Sequence, residues 1–138
     1  GELTIEAGAI FEFDEDVQML VNGALIAQGT STDNIVFTTS NQAGGILWKG
    51  IYVLSANAQN VLDFVTVSYG GNSPHNFSGA DFAANVGVND GAQLTVTNSL
   101  ISDSGAYGIY SIGSTNDFEG AGANNTFTNN PSGNNYTP

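Results

Sequence analysis

Residues Trp48 to Gly71 read WKGIYVLSANAQNVLDFVTVSYGG. Two short apolar runs, Ile51-Tyr52-Val53 and Val61 to Val67, flank a small polar turn. In the second run the alternation slips. Leu62 and Phe64 share one phase, Val65 and Val67 the other. Side chains on a strand alternate between its faces, so one flat strand cannot bury both pairs on one side. A chain that turns a corner between Phe64 and Val65 can bury all four. The stretch therefore predicts short strands wound into a coil around a shared interior.

Working outward, the other apolar runs are three to six residues long and rich in Val, Ile, Phe and Tyr. Gly, Asn, Asp and Ser bound them, and no window sustains helical spacing. The runs fall into three sets that recur in the same order. The first set is Leu3-Ile5, Ala24-Ala27, Leu62-Phe64 and Leu94-Val96. The second is Ile10-Phe13, Ile35-Phe37, Val65-Val67, Leu100-Ser102 and Thr126-Thr128. The third is Met19-Val21, Ile51-Val53, Val86-Val88 and Ile109-Ser111. Cycling through three sets predicts an all-β, right-handed parallel β-helix of about four to five coils with three faces. At about 4.8 Å per strand the coils would stack to roughly 20–25 Å. Residues of equal phase would form interior ladders such as Ile35, Val65, Ile101 and Phe127. Turn asparagines Asn22, Asn98 and Asn129 would share amide hydrogen bonds along the stack. An antiparallel sandwich stays open through Asn22-Gly23, which could close a hairpin between Met19-Val21 and Ala24-Ala27.

Composition bounds the partners. The 138 residues suffice for one domain with a core, and 41% hydrophobic content argues against disorder. Thirteen acidic residues face one basic one, Lys49, for a formal charge of -12. That excludes nucleic acid, which needs a basic footprint, and disfavours anionic polysaccharides and membranes. No apolar run is long enough to insert in a membrane, and no cysteine is present for disulfides or thiolate metal sites. The chain enters its first strand almost at once. We expect one β-helix domain over residues 1–138, a segment of a longer secreted or surface protein, with residues 131–138 a fraying polar tail.

The segments LTIEAGAIFEF, VNGALIAQGTSTDNIVFTTS, WKGIYV, VLDFVTVSYGG and LTVTNSLISDSGAYGIY resemble the right-handed parallel β-helix repeat proteins of bacterial secreted and surface chains. The resemblance covers roughly residues 2 to 130 and implies a pectate-lyase-like solenoid. It does not imply one activity, because that superfamily holds lyases, hydrolases, adhesins and spacers.

Candidate chemistry is sparse. Asp14-Glu15-Asp16 and Asn116-Asp117-x-Glu119 offer oxygens to a hard cation such as Ca²⁺, but neither matches a known calcium loop, and solvated acidic turns explain both. No cofactor or metal site is assigned. Asp63 and Asp103 are the carboxylates available to a glycoside hydrolase, yet they fall on different faces and no motif pairs them. The resemblance implies an Arg or Lys base for polysaccharide lyases; the sequence has no Arg, and nothing argues for a lowered pKa at Lys49. His75, in the Asn72 to Ala80 loop, has no partner for a triad. No catalytic residue is assigned, and enzymatic activity is left open on the side of absence.

Two surface features remain. The third set would turn Leu20, Tyr52, Gly87 and Tyr110 outward, and two tyrosines flanking a glycine make a platform for a sugar ring or a partner side chain. Tyr52, Tyr110 and the neighbouring Trp48 are the candidate ligand-binding residues, unless the Asn72 to Ala80 loop covers them. The second set would turn Thr38, Thr66, Ser68, Ser102, Thr126 and Thr128 outward, a hydroxyl row resembling the surfaces of ice-binding β-helices, interrupted by Glu12, Val36 and Leu100. The leading expectation is a non-catalytic spacer or adhesin, secreted or on the bacterial cell surface, that contacts neutral carbohydrate or another protein and associates end to end. A polysaccharide-degrading enzyme and an ice-binding protein are the alternatives.

Overall fold

In the computed structural model, residues 1–77, 80–113 and 116–137 are described, with only the backbone of 75–77 and 80. Sixteen strands form among them. In chain order they are β1 (Glu2–Ile5), β2 (Ile10–Phe13), β3 (Gln18–Val21), β4 (Ala24–Gln28), β5 (Ile35–Thr39), β6 (Gly50–Val53), β7 (Val61–Asp63) and β8 (Val65–Ser68). There follow β9 (His75–Phe77), β10 (Ala80–Phe82), β11 (Ala84–Val88), β12 (Thr95–Thr97), β13 (Leu100–Ser102), β14 (Tyr107–Ser111), β15 (Thr126–Thr128) and β16 (Gly133–Tyr136).

Fourteen of these strands make three parallel sheets. Face A runs β1-β4-β7-β12, face B runs β2-β5-β8-β13-β15, and face C runs β3-β6-β11-β14-β16. The chain visits A, B and C in turn, giving a right-handed β-helix with three faces and four to five coils. The three recurring sets of apolar runs are these three faces. The antiparallel alternative fails at its one candidate link, because β3 and β4 lie on different sheets. The remaining pair, β9 and β10, is an antiparallel hairpin inserted between faces B and C.

Register explains the core. On face A, Ile5, Ala27, Leu62 and Val96 align inward. On face B the ladder is Phe11, Phe37, Val67, Ile101 and Phe127. Ile35 does align with Val65, but Ile101 belongs to the ladder of Phe37 and Val67, two residues along. On face C, Met19, Ile51, Val86 and Ile109 align, ending on Asn135. Phe37, Val67, Ile101, Ile51, Val86 and Ile109 are all fully buried, each stabilising the fold by about 1.5–3 kcal/mol over exposure.

The corners are held by backbone choice and polar side chains. Phe64, Asn98 and Asn124 occupy successive A-to-B corners with φ of 50°, 50° and 55°. Tyr69, Asp103 and Asn129 do the same between B and C, at 59°, 53° and 54°. This left-handed region costs most L-residues about 1–2 kcal/mol, and Asn and Asp least. Phe64 is thus the corner residue itself, half-buried, whereas Leu62, Val65 and Val67 line the interior. The asparagines hydrogen-bond along each corner but in two separate columns. Asn124 Nδ2 donates to Asn98 Oδ1 at 2.9 Å, and Asn98 Nδ2 to Asp63 Oδ1 at 2.8 Å. Asn129 Nδ2 donates to Asp103 Oδ1 at 3.0 Å. Asn22 belongs to neither column.

Buried amides satisfy backbone groups that the corners free from the ladders. Asn85, fully buried, accepts from Gly70 N at 2.6 Å and donates to Ser102 O at 2.7 Å and Val67 O at 3.3 Å. Asn60 accepts from Leu25 N at 2.7 Å and donates to Gln93 O at 3.1 Å. Within the expected polar tail, Gly133–Tyr136 pairs in parallel with β14 as the last strand of face C.

Candidate binding surface

The outward column on face C runs Leu20, Tyr52, Gly87, Tyr110 and Tyr136. Gly87 leaves a gap, and Phe82 at the end of the inserted hairpin fills it. A Cβ on Gly87 would stand 2.6 Å from both Phe82 Cε2 and Tyr52 Cδ1. The Phe82 ring is stacked on Tyr110 at 4.4 Å and 1° between planes, and leans on Tyr52 at 5.9 Å and 52°. Beyond it, Tyr110 meets Tyr136 at 4.7 Å, and Tyr107 closes the group at 5.3 Å from Tyr110 and 5.4 Å from Tyr136.

This geometry corrects two of the three expected site residues. Tyr52 points outward from its sheet but is 0% exposed, beneath the Phe82 ring. Its hydroxyl donates to Lys49 O at 2.8 Å, and burial pushes its pKa well above the ordinary phenol value. Trp48 is also 0% exposed. Its ring lies 4.2 Å from Phe13 at 6° between planes, and its Nε1 donates to Ser68 O at 2.8 Å. Neither ring offers a face to a ligand. Tyr110 keeps part of its surface open, and partial burial followed by the neighbouring Tyr136 and Tyr107 phenols raises its pKa. The accessible surface is therefore formed by Tyr107, Tyr110 and Tyr136, one coil later than the sequence suggested, with Tyr110 showing its edge between the Phe82 and Tyr136 rings. Tyr136 was hidden in a polar stretch. Its signal was the spacing, since Tyr110 and Tyr136 are in direct register and stand 26 positions apart, as Asn98 and Asn124 do.

An open groove of about 800 Å³ adjoins this platform along the B-to-C corner of the last coils. Tyr69, Phe127, Asp103, Asn129 and Asn134 are among the residues that line it. Asn134 and Tyr136 stand two apart on β16 and so point the same way. One strand thus contributes Asn134 to the groove lining and the Tyr136 ring to the platform. Stacking rings beside amide and carboxylate hydrogen-bonding groups suit a polyhydroxylated ring, which has apolar faces and a polar rim.

The hydroxyl row is only partly open, with Thr126 and Thr128 exposed and Thr66 half-buried. Thr38, Ser68 and Ser102 do point out from face B, yet they are 3%, 5% and 4% exposed. Thr38 Oγ1 lies 2.9 Å from Ser68 Oγ and accepts from Gln42 Nε2 at 3.2 Å, so the Thr38 and Ser68 hydroxyls bond to each other and to the overlying loop rather than to solvent.

The acidic groups serve local structure. Asp14 accepts from Ser40 Oγ at 2.7 Å. Asp16 accepts from Ser73 Oγ at 2.9 Å and lies 4.0 Å from Lys49 Nζ. Asp117 Oδ1 accepts from the backbone N–H groups of Glu119 and Gly120 at 3.2 and 2.8 Å. Asp63 sits at the A-to-B corner, taken up by Thr97 and Asn98, while Asp103 sits at the B-to-C corner. Among the described residues no group of three or more His, Cys, Asp or Glu side chains is arranged to hold a metal ion. The His75 side chain lies outside the described ones. No protein-family model matches this chain, and neither does any curated protein or solved structure.

Proposed function

We propose that this chain is a non-catalytic module of a secreted or cell-surface bacterial protein, related to the pectate-lyase-like β-helices, which presents neutral carbohydrate with the surface formed by Tyr107, Tyr110 and Tyr136. The observation that carries the reading is the Tyr110–Tyr136 pair, 4.7 Å apart and partly open, beside a groove edged by Asn134, Asn129 and Asp103. The support beneath is stiff, because each coil rests on its neighbours. A formal charge of -12 turns away anionic glycans and favours uncharged ones. The test is a glycan array probed with the wild-type chain and with Tyr110→Ala and Tyr136→Ala. Binding to neutral glycans that both variants lose supports the reading; binding that neither variant alters overturns it.

A polysaccharide-degrading enzyme is the second reading, favoured by the presence of Asp103 in the groove. Hydrolysis through two carboxylates needs a partner across the bond, and among the described residues the groove lining holds no second Asp or Glu. Turnover of a glycan that Asp103→Asn abolishes would replace the first reading with this one.

A further inference from the structure

The chain has five tyrosines and no cysteine. Two of the five stand apart. Tyr52 is sealed beneath Phe82 with its hydroxyl donated to Lys49 O. Tyr69 lies at the B-to-C corner, in the column of Asp103 and Asn129. The other three, Tyr107, Tyr110 and Tyr136, form one group whose ring centroids lie 4.7 to 5.4 Å apart. All three reach solvent, Tyr136 most of all.

Register singles out one pair within the group. Tyr110 and Tyr136 are direct partners on the neighbouring parallel strands β14 and β16 and point out from the same face. The backbone holds them one strand spacing apart, so rotation about side-chain torsions alone brings ring carbons together. The two rings already lie 4.7 Å apart with 31° between planes. Phe82 backs Tyr110 on its other side at 4.4 Å and 1°. Having no hydroxyl, the Phe82 ring forms no phenoxyl radical and holds Tyr110 against Tyr136 without competing for it. Tyr107 meets Tyr110 nearly edge-on, at 69°, and its own register partner is Gly133.

We propose that Tyr110 and Tyr136 are a site of oxidative modification, coupled to each other as dityrosine by hydrogen peroxide acting through a one-electron oxidant of the haem-peroxidase class. Each phenol gives up one electron and its hydroxyl proton. The two phenoxyl radicals form a carbon–carbon bond between ring positions ortho to the oxygens. The hydrogen on each of those carbons then moves to its oxygen, which restores both phenols. The chain loses two hydrogens in all, and one peroxide is reduced to two waters. The new bond ties β14 to β16 across 26 positions of chain, a staple in a protein that has no cysteine to make one. A crosslink of that span stabilises by restricting the unfolded chain. A formal charge of -12 keeps separate copies apart, so coupling within a chain outruns coupling between chains in dilute solution. The inference is independent of what the tyrosine platform binds.

The experiment treats the dilute, folded 138-residue chain with hydrogen peroxide and a haem peroxidase. The expected product is a single chain that fluoresces as dityrosine, weighs two hydrogens less than its parent and unfolds at a higher temperature. Cleavage after Asp and Glu releases residues 104–117 and 120–138 as separate peptides, so a fragment that still joins them locates the bond. Tyr110→Phe and Tyr136→Phe keep the rings packed, and each is expected to abolish the joined fragment. Tyr107→Phe is expected to retain it. A folded wild-type chain that yields no joined fragment, or that couples only between copies, overturns the proposal. So does a joined fragment that persists in Tyr110→Phe or Tyr136→Phe, or one that Tyr107→Phe removes.

Discussion

Phe82 and Tyr110 stack face to face, 4.4 Å apart and within 1° of parallel, although one belongs to an inserted hairpin and the other to the β-helix itself. The contact locks the hairpin onto face C and seals Tyr52 beneath it. Phe82→Ala is expected to cost about 3 kcal/mol, the lower range for removing a buried phenylalanine. It should also bring Tyr52 into water. Urea denaturation and solvent-perturbation absorbance of the tyrosines measure the two effects, and an unmoved midpoint would show that the hairpin is merely resting there.

Gly87 is required by space rather than by backbone angle. Valine is the better strand former, but at this position its Cβ would begin 2.6 Å from two aromatic carbons. Gly87→Val is expected to destabilise by about 1–3 kcal/mol as the Phe82 ring is pushed off. If the variant proves more stable than the parent, the Phe82 ring does not occupy the gap.

Asn85 is the interior polar group with the most to lose. Asn85→Leu would leave Gly70 N without its acceptor and take one donor each from Val67 O and Ser102 O, the latter keeping Tyr69 N at 3.4 Å. At about 1–3 kcal/mol for a buried group left unmade, a loss of about 1–3 kcal/mol is expected. It should appear as a lower denaturation midpoint with an unchanged slope, the sign that only stability has moved.

The buried phenol makes the fold sensitive to alkali. Burial raises the Tyr52 pKa above its unfolded value of about 10, and Tyr110 shifts the same way. The folded state therefore binds more protons than the unfolded state in that range. The stabilisation is complete below pH about 10 and drains away as pH climbs through the folded value. Tyrosinate absorbance should show a late-titrating phase that Tyr52→Phe removes. That variant should also lose the bond to the Lys49 carbonyl, worth about 1 kcal/mol at neutral pH.

The winding was legible because the second apolar run changes phase between Leu62 and Val65, which only a corner can accommodate. The three sets of runs became three sheets for the same reason. Phe64 was misplaced because phase says where a side chain points within a strand and nothing of a residue whose φ is positive. Tyr52 and Trp48 were read as surface residues because pattern reveals the side of a sheet, not what lies over it. Phe82 covers the first, and Phe13 stacks on the second. Composition concealed β16, since Gly133–Tyr136 looks like a tail until the 26-residue step from Tyr110 to Tyr136 is counted.

The register has a kinetic consequence. Among the described residues, no strand of the three parallel sheets meets a neighbour sooner than Glu2 meets Ala24, twenty-two positions on, and the one short-range strand pairing is the hairpin of β9 and β10. Closing such loops precedes any reward from contact, so refolding should be slow, on the millisecond-to-second scale or longer. The rate should be set by assembling the first pair of adjacent coils. After that each added turn finds a finished template.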